Sequence, residues 1–504
     1  MNKIGVIDFG PSSIRLMLSE IDDLGYFKVI DELKTPIRLS HDLINGNICK
    51  ENMDIILSTL AAYKNMCNVA NTSIIIAVAT ESLREAKNKD LLLPLIKKEL
   101  DIDIKVLSKE EEIYYNFLGI QKSIYVENAL IVEVAGTDTH LAWVQGKKII
   151  EQVTLPIGSV NLSYKYNLTD RILSKDLEEA FSVIKENLNN IDWLYNNEFD
   201  YVIAIASTSR NLAKLDRVKK RYPFDIPHNY EMTDLDVNEV YNMLKSKDLK
   251  QRQKLVGIEP EFSDIIVGGT AIFKSIVNAI SCSKIKVSGR ALREGLIYEY
   301  LEKNYSINND ILDYSLNGIL NTLNGDKNHA SNVFKTSLKL FNDLKPLHHL
   351  DDNYLNIIKT STMLHDCGIS VNYYGHHKHS FYIILNSHIN GLNHKELLMS
   401  ALIASSHRFN NHQTSLVPFS AIINQLDLKA INQISILVKI AEGLDRSLVG
   451  AVKKIETFID EENVKILVYS DINVDFEVRQ ALRGADKFKE IYRKDLIIES
   501  VYLN

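Results

Sequence analysis

The strongest constraint on the fold is a repeated pattern: an apolar strand ending in an acidic residue, a turn of small residues, then a second strand. Ile4 to Asp8 leads through Phe9-Gly10-Pro11-Ser12-Ser13 into Ile14 to Leu18. Leu130 to Val134 leads through Ala135-Gly136-Thr137-Asp138 into the next strand. Offset by 125 residues, IDFGPSSIRL lies on VEVAGTDTHL, with Asp8 on Glu133, Gly10 on Ala135 and Leu16 on Leu141. Identity is nearly absent, so a duplication and two independent hairpins both fit. Between the copies, Glu51 to Met66 has helical spacing, while Ile74 to Val78 and Ile104 to Leu107 are strand-like. This alternation continues to Tyr300 and predicts an α/β fold with ligand-binding strand ends. After Asn304 the spacing turns helical through Ala441. Strand patterns return near Val464 to Tyr469 and Asp475 to Phe476. The expected segments are 1–125, 126–305, 306–460 and a small α+β tail, 461–504.

Composition narrows the function classes. Lys plus Arg is 58 and Asp plus Glu is 65, a net charge of −7, which argues against a general nucleic-acid binder. The four cysteines, Cys49, Cys67, Cys282 and Cys367, have no paired spacing. That suits a reducing cytoplasm rather than a disulfide scaffold or a cysteine zinc site. No apolar run approaches a membrane span, and the N-terminus reads as a strand running into a turn, without a signal-peptide core.

A small-residue turn after a strand points backbone N–H groups into a concavity that suits phosphate. An acidic residue at the strand end can hold Mg²⁺ against phosphate oxygens. No G-x-x-x-x-G-K-[ST] run is present, which excludes a P-loop NTPase at the motif level. Ser108-Lys109-Glu110-Glu111-Glu112 opens a helix. It reads either as an acidic first turn favoured by the helix dipole, or with Glu112 as a general base for water.

Five stretches occur in an order that resembles one family: Asp8 to Leu16 (DFGPSSIRL), Ala79 to Asn88 (ATESLREAKN), Leu155 to Gly158 (LPIG), Gly257 to Ile266 (GIEPEFSDII) and Leu292 to Gly295 (LREG). The chain resembles the exopolyphosphatase/guanosine pentaphosphate phosphatase family over nearly its whole length. The resemblance implies two actin-like (ribonuclease-H-like) lobes around a cleft, followed by an all-α domain. It implies Mg²⁺-dependent removal of a terminal phosphate from polyphosphate or guanosine pentaphosphate, and a homodimer. It makes Glu112 the catalytic base and Asp8, Glu133 and His140 the cleft's metal residues. It nominates Gly10, Ser12, Ser13, Arg38, Arg84, Gly136, Thr137 and Thr208 for the substrate phosphates.

The phosphate loops depart from the family pattern. Pro11 and Ser12 replace Ser and Asn. The second loop, Glu133 to His140, keeps one of three glycines. Asp138 stands in place of Ser, where a carboxylate would repel phosphate. The third loop, Ala204 to Thr208, has none of the family's glycines, and Phe262 replaces an Arg.

Histidine is unevenly placed: eleven of fourteen lie between His329 and His412. His329, the adjacent His365-Asp366 and Asp445 resemble the metal-binding order of HD-type phosphohydrolases. Those four residues are one expected site, with His379 and His407 as a second position. A mixed imidazole and carboxylate set suits Mn²⁺, Fe or Zn²⁺ more than Mg²⁺.

The reading is a cytoplasmic phosphohydrolase acting on polyphosphate or guanosine pentaphosphate, with no membrane or specific nucleic-acid partner. Two rivals remain: chemistry in the HD-like domain, and a catalytically degenerate sensor of those polyanions or a partner-binding protein.

Overall fold

The computed structural model describes residues 2–10, 13–37, 46–408 and 416–503. These form two compact units, 1–309 and 310–504. The expected phosphate-binding residues Ser12 and Arg38 lie outside the described residues.

The first unit contains two sheets. One is built from β1 (Asn2–Phe9), β2 (Ser13–Ile21), β3 (Phe27–Pro36), β4 (Ile74–Ala79) and β5 (Ile104–Val106), in the order β3-β2-β1-β4-β5. The other is built from β6 (Asn128–Val134), β7 (Thr139–Gln145), β8 (Lys148–Leu155), β9 (Tyr201–Ile205), β10 (Tyr230–Thr233) and β11 (Lys284–Val287), in the order β10-β11-β9-β6-β7-β8. Reading outward from β8, the second sheet repeats the order and strand directions of the first and adds β10 at its edge. The register repeats as well: Asp8 pairs with Arg15 and Glu133 pairs with His140. The shared hairpin register, together with the same order of parallel crossovers, decides the ambiguity in favour of a duplication.

The helix Lys109–Gln121 starts at a capping box: Ser108 Oγ accepts from the Glu111 N–H, and the Glu111 carboxylate accepts from the Ser108 N–H. Its apolar residues Ile113, Phe117 and Ile120 pack with Ile131, Val144 and Ile203 of the second sheet. Each such buried side chain contributes roughly 1.5–3 kcal/mol. The sequence boundary at 125 grouped this helix with the first sheet, but it packs on the second.

Two glycines bring this helix against Leu292–Asn304. A Cβ on Gly119 would lie 2.2 Å from the Ala291 carbonyl oxygen, and one on Gly295 would lie 2.0 Å from the Tyr115 carbonyl oxygen. Only hydrogen fits at either position, and this close crossing brings Glu112 and Arg293 to one cavity.

Among the described residues, the elements of the second unit from Ile311 to Leu444 are all helices, and the unit ends in a three-stranded sheet of β12 (Lys454–Ile459), β13 (Asn463–Ser470) and β14 (Asp495–Tyr502). The β12–β13 hairpin spans the boundary placed at 460. Asp475 to Phe476, expected as strand, opens the helix Asp475–Ala481 instead. Asp475 and Glu477 in its first turn favour a helix N-terminus electrostatically. The His365-Asp366 pair lies in the turn just after the helix Leu355–Met363. Among the described residues, no helix is long and apolar enough to cross a membrane.

Candidate functional site

A cavity of about 150 Å³ lies in the first unit, lined from both sheets. Asp8 enters from the end of β1, Glu133 from the end of β6, and Glu112 from the first turn of its helix. Glu110 and Glu111 stay near solvent while Glu112 turns inward and is only 6 % exposed. The Arg84 guanidinium donates to Glu112 at 2.9 Å and to the Leu107 carbonyl at 3.0 Å. Asn116, one helical turn after Glu112, donates to Glu133 at 2.7 Å.

Burial pushes the Glu112 carboxyl up to about 7, against the lowering effect of Arg84. Desolvation and the neighbouring Glu112 carboxylate raise Glu133 well above its ordinary range. Asp8 is raised too, chiefly by desolvation, with Arg293 and Arg15 opposing. Desolvation holds the His140 imidazole down, at about 4, so its ring is neutral near pH 7.

Donor atoms of Glu112, Glu133 and His140 lie within 4.8 Å of one another. His140 Nδ1 bonds the Thr154 hydroxyl at 2.9 Å, and its buried Nε2 has no hydrogen-bond partner among the described residues. A divalent cation fits this orphaned nitrogen and crowd of desolvated carboxylates, since it would relieve both. Asp8 lines the same cavity but is not in that close cluster.

Of the expected phosphate-binding residues, Gly10, Ser13, Gly136 and Thr208 line the cavity. Arg84 does not: it is turned onto Glu112. Thr137 gives both its N–H and its hydroxyl to Glu81, so these donors are already engaged. Asp138 does not line the cavity either. Its carboxylate pairs with Lys109 at 2.7 Å, which removes the repulsion expected from the sequence.

Three cavity arginines were not nominated from the sequence: Arg15, Arg210 and Arg293. Arg15 and Arg293 lie inside DFGPSSIRL and LREG, so the motifs held them without revealing their direction. Arg210 follows the third loop, and only the close approach of β9 to β6 brings it in. Burial, then Arg15 and Arg293, lower the Arg210 guanidinium to about 10. Three cations converging on one cavity make a site for a multiply charged anion.

The second unit gathers His329, His365, Asp366, His376 and His407. Two groups of close donors share Asp366: one with His329 and His365, the other with His376 and His407. Two expectations change here. His379 belongs to neither group; it is half-buried, its Cβ against Gly368. Asp445 accepts from His329 Nδ1 at 2.9 Å, on the ring edge away from the donor groups, and so orients that ring.

Comparisons with known proteins agree with this architecture. Residues 17–304 match the model of the Ppx/GppA phosphatase family, and residues 311–481 match that of Ppx/GppA phosphatase, domain III. The chain belongs to the Ppx/GppA phosphatase family. It is 24% identical over 422 residues to the guanosine-5'-triphosphate,3'-diphosphate pyrophosphatase of Pseudoalteromonas translucida, covering 81% of each chain. It is 26% identical over 309 residues to a bifunctional 3-dehydroquinate synthase/phosphatase of Fusobacterium nucleatum, covering 59% of this chain and 46% of that relative, about half its length. The Aquifex aeolicus member of the Ppx/GppA family superposes with a TM-score of 0.54 at 26% identity, covering 60% of this chain and 99% of the other. An exopolyphosphatase from Cytophaga hutchinsonii shares the fold, with a TM-score of 0.57 at 22% identity over 60% of this chain and 98% of the other.

Proposed function

We propose that the cavity of the first unit releases the terminal phosphate from polyphosphate or guanosine pentaphosphate by attack of water. The observation that carries this reading is the position of Glu112: a desolvated carboxylate held by Arg84 in a cavity that also receives Arg15, Arg210 and Arg293. Glu112 orients a water and accepts its proton as the water oxygen bonds the terminal phosphorus; the P–O anhydride bond breaks and the shortened chain leaves as the anion. Arg15, Arg210 and Arg293 hold the phosphate oxygens where negative charge collects. Glu133 and His140, with Asp8 beside them, would hold a divalent cation, Mg²⁺ by the family resemblance, which leaves Glu112 as the base. When bound, the ion neutralises phosphate charge. The reading includes a homodimer and a cytoplasmic setting.

A second reading, binding of the polyanion without turnover, draws on Thr137, whose donors are engaged by Glu81. Phosphate release from polyphosphate and guanosine pentaphosphate, with Mg²⁺, separates the two. The proposal expects release by the wild type and a loss of at least ~10²-fold in Glu112→Gln, the range for removing a general base. Equal rates in both proteins would refute the role of Glu112, and tight binding without release would favour the second reading.

A further inference from the structure

The histidines of the second unit pose an electrostatic problem. His329 Nε2 lies 3.2 Å from His365 Nε2, and His376 Nε2 lies 3.0 Å from His407 Nε2. In each ring the other nitrogen meets an oxygen acceptor: Nδ1 of His329 at Asp445 (2.9 Å), of His365 at the Thr362 carbonyl (2.7 Å), of His376 at the Tyr373 carbonyl (2.8 Å) and of His407 at the Ala404 carbonyl (2.6 Å). Carbonyls and an ionised carboxylate only accept, so Nδ1 carries the hydrogen and each ring, when neutral, turns a bare Nε2 lone pair inward. Two lone pairs at such distances repel unless a positive charge lies against both.

Asp366 stands between the two pairs and offers one oxygen to each. Its Oδ2 is 3.8 Å from His329 Nε2 and 3.7 Å from His365 Nε2; its Oδ1 is 3.1 Å from His376 Nε2 and 3.4 Å from His407 Nε2. Imidazole nitrogens bound at ~2.0–2.1 Å to one ion, at angles between octahedral and tetrahedral, sit roughly 2.9–3.4 Å apart. Both nitrogen pairs fall in that range. The four rings are buried, whereas the Asp366 side chain is 22% exposed, so the cluster meets solvent at the bridging position.

We infer that the second unit holds two divalent transition-metal ions, one on His329 and His365, the other on His376 and His407, bridged by the Asp366 carboxylate. Imidazole donors with one carboxylate select Mn²⁺, Fe²⁺ or Zn²⁺ over Mg²⁺. The Nδ1 hydrogen bonds fix each ring with its lone pair inward, and Asp445 is itself held by the Gly450 N–H at 2.9 Å. Each ion keeps positions free of protein donors, as catalytic rather than structural sites do. Asp366 and His376 are thus positioned for different jobs, one shared by both ions and one serving a single ion.

The test is metal content of the untagged full-length protein, stripped with a chelator, reloaded with Mn²⁺ or Zn²⁺ and desalted. Asp366→Asn is expected to retain two ions per chain fewer than the wild type, and His376→Ala one fewer. His379→Ala should match the wild type, which separates loss of a ligand from general loss of histidine. Circular dichroism checks the fold of each variant. Electron paramagnetic resonance of the unmodified Mn²⁺ protein should show a coupled pair, and this readout does not depend on any variant folding. Wild-type metal content in Asp366→Asn, or uncoupled Mn²⁺ with His376→Ala unchanged, would overturn the pair and leave a hydrogen-bonded network carrying protons in place of ions.

Discussion

Arg84 reaches across 2.9 Å to the carboxylate of Glu112, linking the short helix Glu81–Glu85 after β4 to the first turn of the helix that carries the candidate base. The guanidinium acts in two ways. It fixes the direction of the carboxylate, and its charge lowers a pKa that burial raises. Replacing it with an uncharged group should therefore push Glu112 above about 7. In Arg84→Met the low-pH limb of the activity profile is expected to move to higher pH, and kcat at pH 7 to fall. A profile that keeps its midpoint while activity drops would show that Arg84 only braces the fold.

The same carboxyl links stability to pH. Its folded value, about 7, lies above the ordinary glutamate value of 4.5, so the folded state binds the proton more tightly. A carboxylate shifted this way costs stability as pH rises through the interval between those values. Chelated wild-type protein should thus lose stability from pH 5 to pH 7.5 more steeply than Glu112→Gln, which has no proton to lose. Parallel denaturation midpoints for the two proteins across that range would contradict the shift.

Ala206, the first residue of the helix after β9, has φ +67, in the left-handed region. A Cβ there costs ~1–2 kcal/mol per residue, whereas glycine tolerates the conformation and loses about 0.5–1 kcal/mol through chain entropy. Ala206→Gly should stabilise the protein by roughly 0.5–1 kcal/mol, read as a rise in urea midpoint at unchanged slope. A fall in midpoint would mean that the alanine methyl packs well enough to outweigh the strain.

Gly295→Ala places a methyl 2.0 Å from the Tyr115 carbonyl oxygen, a backbone atom that cannot rotate away. The helix crossing must open, at about 1–3 kcal/mol by analogy with overpacked cores. Glu112 and Arg293 ride on the two helices, so phosphate release should fall even under conditions where the variant is fully folded. A stable, fully active Gly295→Ala would show that the crossing is looser than its geometry.

Local signals carried far along this chain. Strand-end acids and small-residue turns marked where β1 and β6 meet the cavity, because strand ends and tight turns are written in neighbouring residues. The acidic run after Ser108 gave the helix start, and within it the capping box and the inward turn of Glu112 divide three adjacent glutamates between solvent and cavity. The His-Asp pair was equally legible, since adjacency is a property of sequence.

Partners from distant segments were not legible. Arg15, Arg210 and Arg293 converge only through the pairing of β6 with β9 and the crossing permitted by Gly119 and Gly295. The even choice between duplication and coincidence was decided by the matching order of parallel crossovers in the two sheets, which no local propensity specifies. Among eleven clustered histidines, composition announced an imidazole-rich region but could not choose between His376 and His379, three residues apart on one helix. The packing of His379 against Gly368 and the approach of His407 from another helix make that choice. Sequence by itself determined the strand ends that reach the cavity, the start of the Glu112 helix and the kinds of donor available. The tertiary structure decided which donors share a centre, because that depends on how separate helices and strands pack, and long-range packing is not encoded in any local window.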